Sequence, residues 1–290
     1  NDPSDYGTIL SGVRKKEPSK VYGRGLINLD SIYEFQTAYA YKEEKLTEYI
    51  KIICDKLNSI CEYQAPIVPI LPEVVTTSIL KNDYSSLQNI PVGINKETLE
   101  IEKINVVENN FYIITGEDIF SNTQFITTWI NFLPTSNQAT CMVIDNSNLL
   151  NKNEVTNATY ETGENILTAL ETLNSNANTM KICVIIGLGT ILKKLGITEK
   201  EKIASILAHS TNIKYVIVDT IDNIKTLSYE VWFKGNASLS EGIWLGNGIA
   251  NQFTLKVTTN SRILRTELDQ NFGYVIKKGK AILVKFVSEE

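Results

Sequence analysis

Residues 110–115 read NFYIIT, a nearly unbroken apolar run that leads into Gly116. Strands rich in Ile and Val without polar alternation are typical of a parallel sheet that is covered on both faces. The run therefore predicts one strand of a buried, mainly parallel sheet. Three later runs have the same character and predict further strands of that sheet: Cys141–Asp145, Ile182–Gly187 and Lys214–Asp219.

The segments between these runs have a helical pattern. Helices are expected at about 121–133, 160–175 and 199–209, and repeated strand–helix–strand units make a doubly wound α/β layer. After about residue 240 Gly-rich apolar runs follow, at 242–246, 253–258, 273–277 and 281–287. The turn Lys278-Gly279-Lys280 between the last two predicts a hairpin. The predicted fold is α/β, a mainly parallel twisted sheet with helices on both faces and a β-rich C-terminal edge.

The N-terminal part has a different pattern. Residues 21–36 predict two short strands around a turn, and 42–61 predict an amphipathic helix because apolar side chains recur at helical spacing. Three prolines then favour an extended conformation over 64–76. The domain boundary is expected in the polar stretch 81–91, which separates residues 1–85 from residues 86–290.

Composition excludes several classes of protein. Of the 290 residues, 43% are apolar and 21% are charged, as in ordinary globular proteins. The net charge of −5 disfavours a nucleic-acid-binding protein, because phosphate contacts need clustered Lys and Arg. No apolar run approaches the ~18 residues of a membrane-spanning helix.

Few side chains could bind a metal ion or act as a catalytic base. The four cysteines, Cys54, Cys61, Cys141 and Cys183, form no Cys-x-x-Cys pair, and His209 is the single histidine. Each cysteine lies in an apolar run, which predicts a buried free thiol rather than a zinc ligand. A hydrolase with a Ser-His-Asp set is disfavoured for the same lack of histidine.

The turn after the first buried run resembles the phosphate-binding loop G-x-x-x-x-G-K-[ST]. Gly116 holds the first position and Thr123 the magnesium-binding hydroxyl, whereas Ser121 replaces the second glycine and Asn122 replaces the lysine. Asparagine cannot supply the charge that lysine places on the β and γ phosphates, and Glu117-Asp118 adds negative charge. The loop predicts a degenerate nucleotide site. The alternative is an ordinary strand-to-helix turn with Ser121 as the helix N-cap.

A working nucleotide site also needs a carboxylate at the end of another buried strand, where it helps to hold magnesium. The run from Ile182 ends in Gly187-Leu188-Gly189, so this carboxylate is missing there. Asp145 and Asp219 also end strands, but an isolated Asp at such a position is more typical of a helix or turn cap. No cofactor is therefore expected, unless Mg-ATP binds to an unusual loop.

Several short motifs occur in an order that is similar to FtsK/SpoIIIE-type ATPases of bacterial type VII secretion, the EssC/EccC family. The chain most resembles the third, C-terminal ATPase module of the type VIIb members. The motifs are Gly23-Arg24-Gly25-Leu26 with Glu34-Phe35-Gln36, Val68-Pro69-Ile70-Leu71-Pro72, Ile90-Pro91-Val92-Gly93-Ile94, Thr115-Gly116 and Gly242-Ile243-Trp244-Leu245-Gly246.

This resemblance implies a RecA-like P-loop NTPase fold for residues 86–290. Residues 1–85 would then be the closing segment of the preceding ATPase module, followed by a connecting helix and a Pro-rich linker. It also implies a location at the cytoplasmic face of the bacterial membrane, as the C-terminal part of a membrane protein. The implied partners are the preceding ATPase modules, secreted small helical WXG-motif proteins and further copies in a full-length hexamer.

Two functions stay open on the sequence. The first is a nucleotide-inactive module that recognises secreted substrate proteins and regulates the motor. The second is a weak but active ATPase that drives secretion, in which Thr123, Asp145 and Glu117 act on Mg-ATP.

Overall fold

The computed structural model describes residues 17–38, 42–61, 68–119, 122–136, 139–146, 148–175 and 180–289. The chain divides into two compact units, residues 1–68 and residues 69–290. Residues 69–85, which the sequence groups with the N-terminal part, lie in the second unit. Val75 and Leu80 from this segment are fully buried in its core.

The described residues form twelve strands, two in the first unit and ten in the second. The strands are β1 (Arg24–Asn28), β2 (Ile32–Gln36), β3 (Ile90–Asn95), β4 (Ile101–Ile104), β5 (Phe111–Gly116), β6 (Thr140–Asp145), β7 (Thr159–Thr162), β8 (Lys181–Ile186), β9 (Ile213–Thr220), β10 (Gly242–Leu245), β11 (Phe272–Lys277) and β12 (Lys280–Phe286).

The same residues form nine α-helices, of which the first belongs to the first unit. The helices are α1 (Leu46–Ile60), α2 (Thr77–Leu80), α3 (Thr123–Phe132), α4 (Ile166–Ser175), α5 (Leu188–Lys194), α6 (Ile197–His209), α7 (Ile221–Leu227), α8 (Val231–Lys234) and α9 (Ser261–Leu264). Short 3-10 turns add Glu43–Lys45, Lys81–Asp83, Leu133–Ser136, Lys152–Glu154, Gly163–Asn165 and Ile249–Asn251.

The second unit is built on one ten-stranded sheet. Its strand order is β4-β3-β12-β11-β10-β5-β9-β8-β6-β7. From β10 to β7 all neighbouring strands are parallel, whereas from β10 to β4 each pair is antiparallel. The predicted mainly parallel sheet is therefore confirmed, and β11 and β12 supply the predicted β-rich C-terminal region.

The parallel strands are covered on both faces. Every residue of β5 and β8 is buried, and alternate side chains point to opposite faces. Ile114 belongs to the same core as Phe125 and Trp129 of α3, while Ile113 belongs to a second core that receives α4 to α9. Helices as short as α5 and α7 are not stable alone in water, so burial of their apolar side chains holds them in place.

Most predicted elements are confirmed, with two corrections. The expected helices at 121–133 and 199–209 correspond to α3 and α6. The helix expected from 160 begins only at Ile166, because residues 159–162 pair with β6 as strand β7. The run 253–258 is not a strand.

The side chain of Gln252 causes this second departure. It accepts a hydrogen bond from the N–H of Leu255 at 2.8 Å and donates one to the carbonyl of the same residue at 3.2 Å. These two bonds fold the chain into a turn and leave the Phe253 side chain 93% exposed. An apolar run alone therefore did not indicate a buried strand at this position.

The first unit contains the two predicted strands and the predicted helix. β1 and β2 form an antiparallel hairpin, and α1 spans 46–60. None of the residues of α1 is buried, and the side chains of Ile50, Leu57 and Ile60 are exposed over more than half of their area. Within the described part of the first unit, the helix thus presents an apolar face that no other residue covers.

The cysteines divide between the two units. Cys54 and Cys61 of the first unit are exposed, so the prediction that they are buried is wrong. Cys141 and Cys183 are buried as predicted, and burial raises the pKa of the Cys141 thiol to about 12. A thiol with so high a pKa stays protonated and behaves as a small apolar group.

The hairpin turn between β11 and β12 offers a test of backbone strain. Lys278 and Gly279 have φ values of 48° and 81°, a region that favours Gly and Asn. We expect Lys278→Asn to raise the free energy of unfolding by about 0.5–1 kcal/mol, since other residues are strained there. Urea denaturation measures this change. Lys280→Asn removes the same charge from a strand position and should lower stability, so equal effects of the two variants would contradict the prediction.

Candidate functional site

The candidate loop lies at the carboxyl edge of the parallel strands. Gly116 ends β5 and is paired with Thr220 of β9 on one side and with Leu245 of β10 on the other. The same edge continues through Gly187, which follows β8, to Asp145 at the end of β6. Ligands of open α/β sheets bind outside this edge. The structure therefore brings Gly116 and Gly187 to one edge, with β9 between them.

Packing between strands explains the glycine at position 116. A Cβ atom there would lie 2.8 Å from the carbonyl oxygen of Leu245, closer than side chains approach a carbonyl. Gly116 is buried and is still part of β5. The glycine is thus required by the contact between β5 and β10, whether or not a phosphate binds.

Asn122 and Thr123 lead from the loop into α3, whereas Ser121 lies outside the described residues. The backbone N–H of Asn122 donates to the Ile119 carbonyl at 3.2 Å, and its side-chain amide donates to the Asp118 carbonyl at 3.3 Å. Asn122 holds the N-cap position of α3 without a side-chain cap hydrogen bond, and the alternative with Ser121 as the cap concerns a residue outside the described ones. A neutral amide that is engaged within the loop occupies the lysine position of the motif.

The Glu117 side chain extends from the loop to the turn after β10. Its carboxylate lies against Gly248, where a Cβ atom would overlap it. Gly246 of the same turn faces the Asn122 amide, with 3.6 Å from a Cβ at that glycine to Nδ2. Both glycines have positive φ, 69° at Gly246 and 90° at Gly248. The loop and this turn pack together, and they keep an exposed negative charge beside the candidate site.

Gly187 turns the chain from β8 directly into α5. Its φ and ψ are 75° and 32°, a left-handed conformation that favours glycine. The carbonyl of Gly187 accepts the N–H groups of Thr190 and Ile191, both at 3.0 Å, and its own N–H donates to the Val218 carbonyl at 2.9 Å. The position begins a helix and carries no carboxylate for a magnesium ion.

Asp219, near the end of β9, is a buried carboxylate with three donors. Oδ2 accepts the N–H of Gly189 at 2.8 Å, and Oδ1 accepts the N–H of Thr220 and the side-chain amide of Asn223, each at 2.8 Å. Burial raises the pKa of this carboxyl, and the three hydrogen bonds oppose that effect. Asp219 therefore caps the first turn of α5 from a neighbouring strand, as predicted for an isolated strand-end Asp.

Asp145 has a similar structural role at the end of β6. Its Oδ2 accepts the N–H of Leu150 at 3.0 Å and the hydroxyl of Tyr160 at 3.1 Å. Burial raises the pKa of Tyr160 to about 12, and the nearby Asp145 carboxylate adds to the effect. Two strands, β9 and β8, separate β6 from β5, which is roughly 14 Å at ~4.8 Å per strand. The structure does not bring Asp145 together with Glu117 and Thr123.

Two concave sites flank α7, and no sequence motif pointed to either. One is a polar cleft of about 690 Å³ between α7 and residues 248–256, with charges from Glu117, Asp222, Lys225 and Lys256. The other, the helical groove, has a volume of about 270 Å³. Its apolar floor is formed by Leu192, Ala204, Leu227 and Trp232, and charged residues at its rim are Lys193, Lys200, Glu201 and Glu230.

The described residues contain no group of three or more His, Cys, Asp or Glu side chains placed to hold a metal ion. Within the same part of the chain, every helix is too short or too polar to cross a lipid bilayer.

The fold is a mixed α/β sheet of mostly parallel strands, with a loop between a central strand and a helix at its carboxyl edge, and it matches the fold of P-loop NTPase-like structures. Solved structures that share this fold are the cytoplasmic domain of EssC, ATPases 2 and 3 of EssC from Geobacillus thermodenitrificans, and ATPases 2 and 3 of EccC from Thermomonospora curvata in complex with a signal sequence peptide. The TM-scores are 0.62, 0.65 and 0.57, and the sequence identities are 15%, 14% and 16%.

These matches cover 100%, 100% and 92% of this chain. The chain in turn spans 63%, 59% and 53% of the matched structures, less than two thirds of each. No protein-family model and no curated protein matches the sequence. The predicted resemblance to type VII secretion ATPase modules is therefore confirmed for the fold.

The buried position of Asp219 leads to a prediction about stability and pH. We expect Asp219→Asn to lower the free energy of unfolding by about 1–3 kcal/mol, since an amide would oppose at least one of the three donors. The folded-state pKa of Asp219 is raised above its ordinary 3.8. Its carboxyl therefore contributes stability below pH 3.8, and this contribution is lost as the pH rises through the folded-state pKa. The difference between wild type and variant should shrink over that interval.

Urea denaturation at a series of pH values measures both effects. Asp222→Asn is the matched control, because Asp222 is exposed in the next turn and has no comparable donors. Its effect should stay within about 0.5 kcal/mol at each pH. A loss at Asp219 no larger than at Asp222 would contradict the capping role.

Proposed function

We propose that the chain is the C-terminal module of a type VII secretion ATPase, and that it binds secreted proteins and regulates the motor without hydrolysing ATP. The observation that supports this proposal is the hydrogen bonding at the carboxyl edge of the parallel strands. The fold keeps the edge at which a P-loop protein binds nucleotide, but internal hydrogen bonds engage its loop and its buried carboxylates.

The chemistry that nucleotide hydrolysis needs is missing at three positions. The lysine position holds Asn122, the end of β8 holds Gly187, and Glu117 places a negative charge beside the loop. A phosphate loop depends on convergent N–H groups and one lysine to balance the phosphate charge. These replacements support a module whose role is binding.

The helical groove supports a docking role. Its apolar floor and its rim of two Lys and two Glu residues match a short amphipathic segment that carries both charge signs. The EccC structure of the same fold was solved with a signal sequence peptide. We propose that secreted small helical WXG-motif proteins dock here through one such segment.

The first unit supports a connection to a preceding ATPase module. The exposed apolar residues Ile50, Leu57 and Ile60 of α1 would be covered by that module in a longer protein. We propose that this protein is membrane-associated, that the module lies on the cytoplasmic face of the membrane, and that full-length copies assemble as a hexamer.

Nucleotide binding tests the first part of this proposal. We expect no binding of Mg-ATP to the chain in isothermal titration calorimetry. The missing lysine charge and the added repulsion both reduce the binding free energy, and each ~1.4 kcal/mol that is lost weakens binding tenfold. The double variant Ser121→Gly with Asn122→Lys should not hydrolyse ATP, since Gly187 still provides no carboxylate. Asn122→Gln is the neutral control. Magnesium-dependent ATP turnover by the wild type that Thr123→Ala abolishes would instead establish the active ATPase.

A substitution in the groove tests the docking role. We expect Ala204→Arg, which fills the groove, to weaken binding of a purified WXG-motif helical protein by about tenfold or more, or ~1.4 kcal/mol. Biolayer interferometry measures the dissociation constant. Ser205→Arg adds the same side chain at the next, exposed position, outside the groove, and should bind like the wild type. Equal affinities for the two variants would contradict docking in the groove.

A further inference from the structure

A chain of hydrogen bonds runs from the helical groove to the carboxyl edge of the sheet. Lys193 Nζ donates to Asn223 Oδ1 at 2.8 Å, and Asn223 Nδ2 donates to Asp219 Oδ1 at 2.8 Å. Asp219 Oδ2 accepts the N–H of Gly189 at 2.8 Å. Lys193 and Gly189 line the groove, whereas Asp219 lies in β9, the strand next to β5 and its loop.

The middle of this chain is buried and closely packed. Asp219 is 1% exposed and Asn223 is 8% exposed, while Lys193 is exposed on the last turn of α5. A Cβ atom at Gly189 would lie 2.7 Å from Cβ of Asn223, so only glycine allows α5 and α7 to come this close. Asn223 Nδ2 also donates to Thr190 Oγ1 at 3.2 Å, so the amide is held between Asp219 and the first turn of α5.

Lys193 is the cation at the far end of the hydrogen-bond chain from Asp219. A buried carboxylate is costly unless it is hydrogen-bonded and its charge is balanced. Burial raises the pKa of Asp219; its three hydrogen bonds lower it, and the attraction of Lys193 adds a smaller lowering effect. Because Lys193 also faces the groove, a ligand there can compete for the same ammonium group.

We propose that Lys193 transmits occupancy of the helical groove to the loop at the carboxyl edge. A carboxylate on an apolar segment in the groove draws the Lys193 ammonium away from Asn223, and the end of β9 and the adjoining loop then lose order. The inference rests on the proposed docking function for its ligand, but the hydrogen bonds themselves exist without it.

Hydrogen–deuterium exchange with mass spectrometry tests the connection in the unliganded chain. We expect Lys193→Met to speed exchange over residues 219–223 and 116–119 by about fivefold or more, the lower end of usual coupling strengths. Lys200→Met removes an equal charge from the groove rim but not from the hydrogen-bond chain, and should leave both segments unchanged. Lys193→Arg keeps the charge and the donor and should resemble the wild type. Exchange over 181–186 reports whether a variant has lost stability globally.

Hexanoate serves as the probe of ligand action, with 1-hexanol as the control that lacks the carboxylate. We expect hexanoate to speed exchange over 116–119 in the wild type and to have no effect on Lys193→Met. Equal profiles for Lys193→Met and Lys200→Met, no response to hexanoate, or an equal response to hexanol would each overturn the inference. Failure of the Ala204→Arg test would count against the docking function alone, so the two failures can be told apart.

Discussion

The six parallel strands from β10 to β7 carry helices on both of their faces, and this two-sided burial governs what happens where each strand ends. A helix that starts in such a position has backbone N–H groups that cannot reach water and need acceptors within the protein. Asp219 supplies an acceptor for α5, the Gly187 carbonyl supplies another, and Asp145 supplies one for the turn after β6. The groups that meet these requirements therefore occupy the carboxyl edge of the sheet.

Close packing at this edge also gives its glycines a structural role that differs from the role of glycine in the phosphate-binding loop. Gly116 leaves space for a carbonyl of β10, and Gly248 leaves space for the Glu117 carboxylate. Phosphate loops use glycine so that backbone N–H groups can point at an anion. Here the glycines let protein groups approach each other. Glycines at the carboxyl edge thus serve internal packing. This role agrees with the presence of Asn122 at the lysine position of the motif.

The sheet could be predicted from the sequence because its strands are continuous apolar runs, and residues 182–187 need no tertiary information to be recognised as one. Helices α5 and α7 could not, since seven residues span less than two helical turns and show no clear period. Strand β7 was missed because its pairing with β6 overrides a helical pattern. The loop was located correctly, but the contact of Glu117 with Gly248 joins residues far apart in the chain, and only the fold reveals it.

In P-loop GTPases, contacts of the γ-phosphate and its Mg²⁺ order the switch segments, which are released on hydrolysis. In this chain internal hydrogen bonds hold the carboxyl edge: the Asn122 amide donates to the Asp118 carbonyl, and Asp219 accepts the N–H of Thr220. Under the proposed function, an edge held in this way does not respond to nucleotide, but it responds to changes in its own hydrogen bonds. The bonds of Asp219 lead through Asn223 to Lys193, which lines the helical groove. The proposed loss of nucleotide binding and the proposed regulatory role are therefore physically compatible, because the hydrogen bonds that hold the carboxyl edge also reach the helical groove.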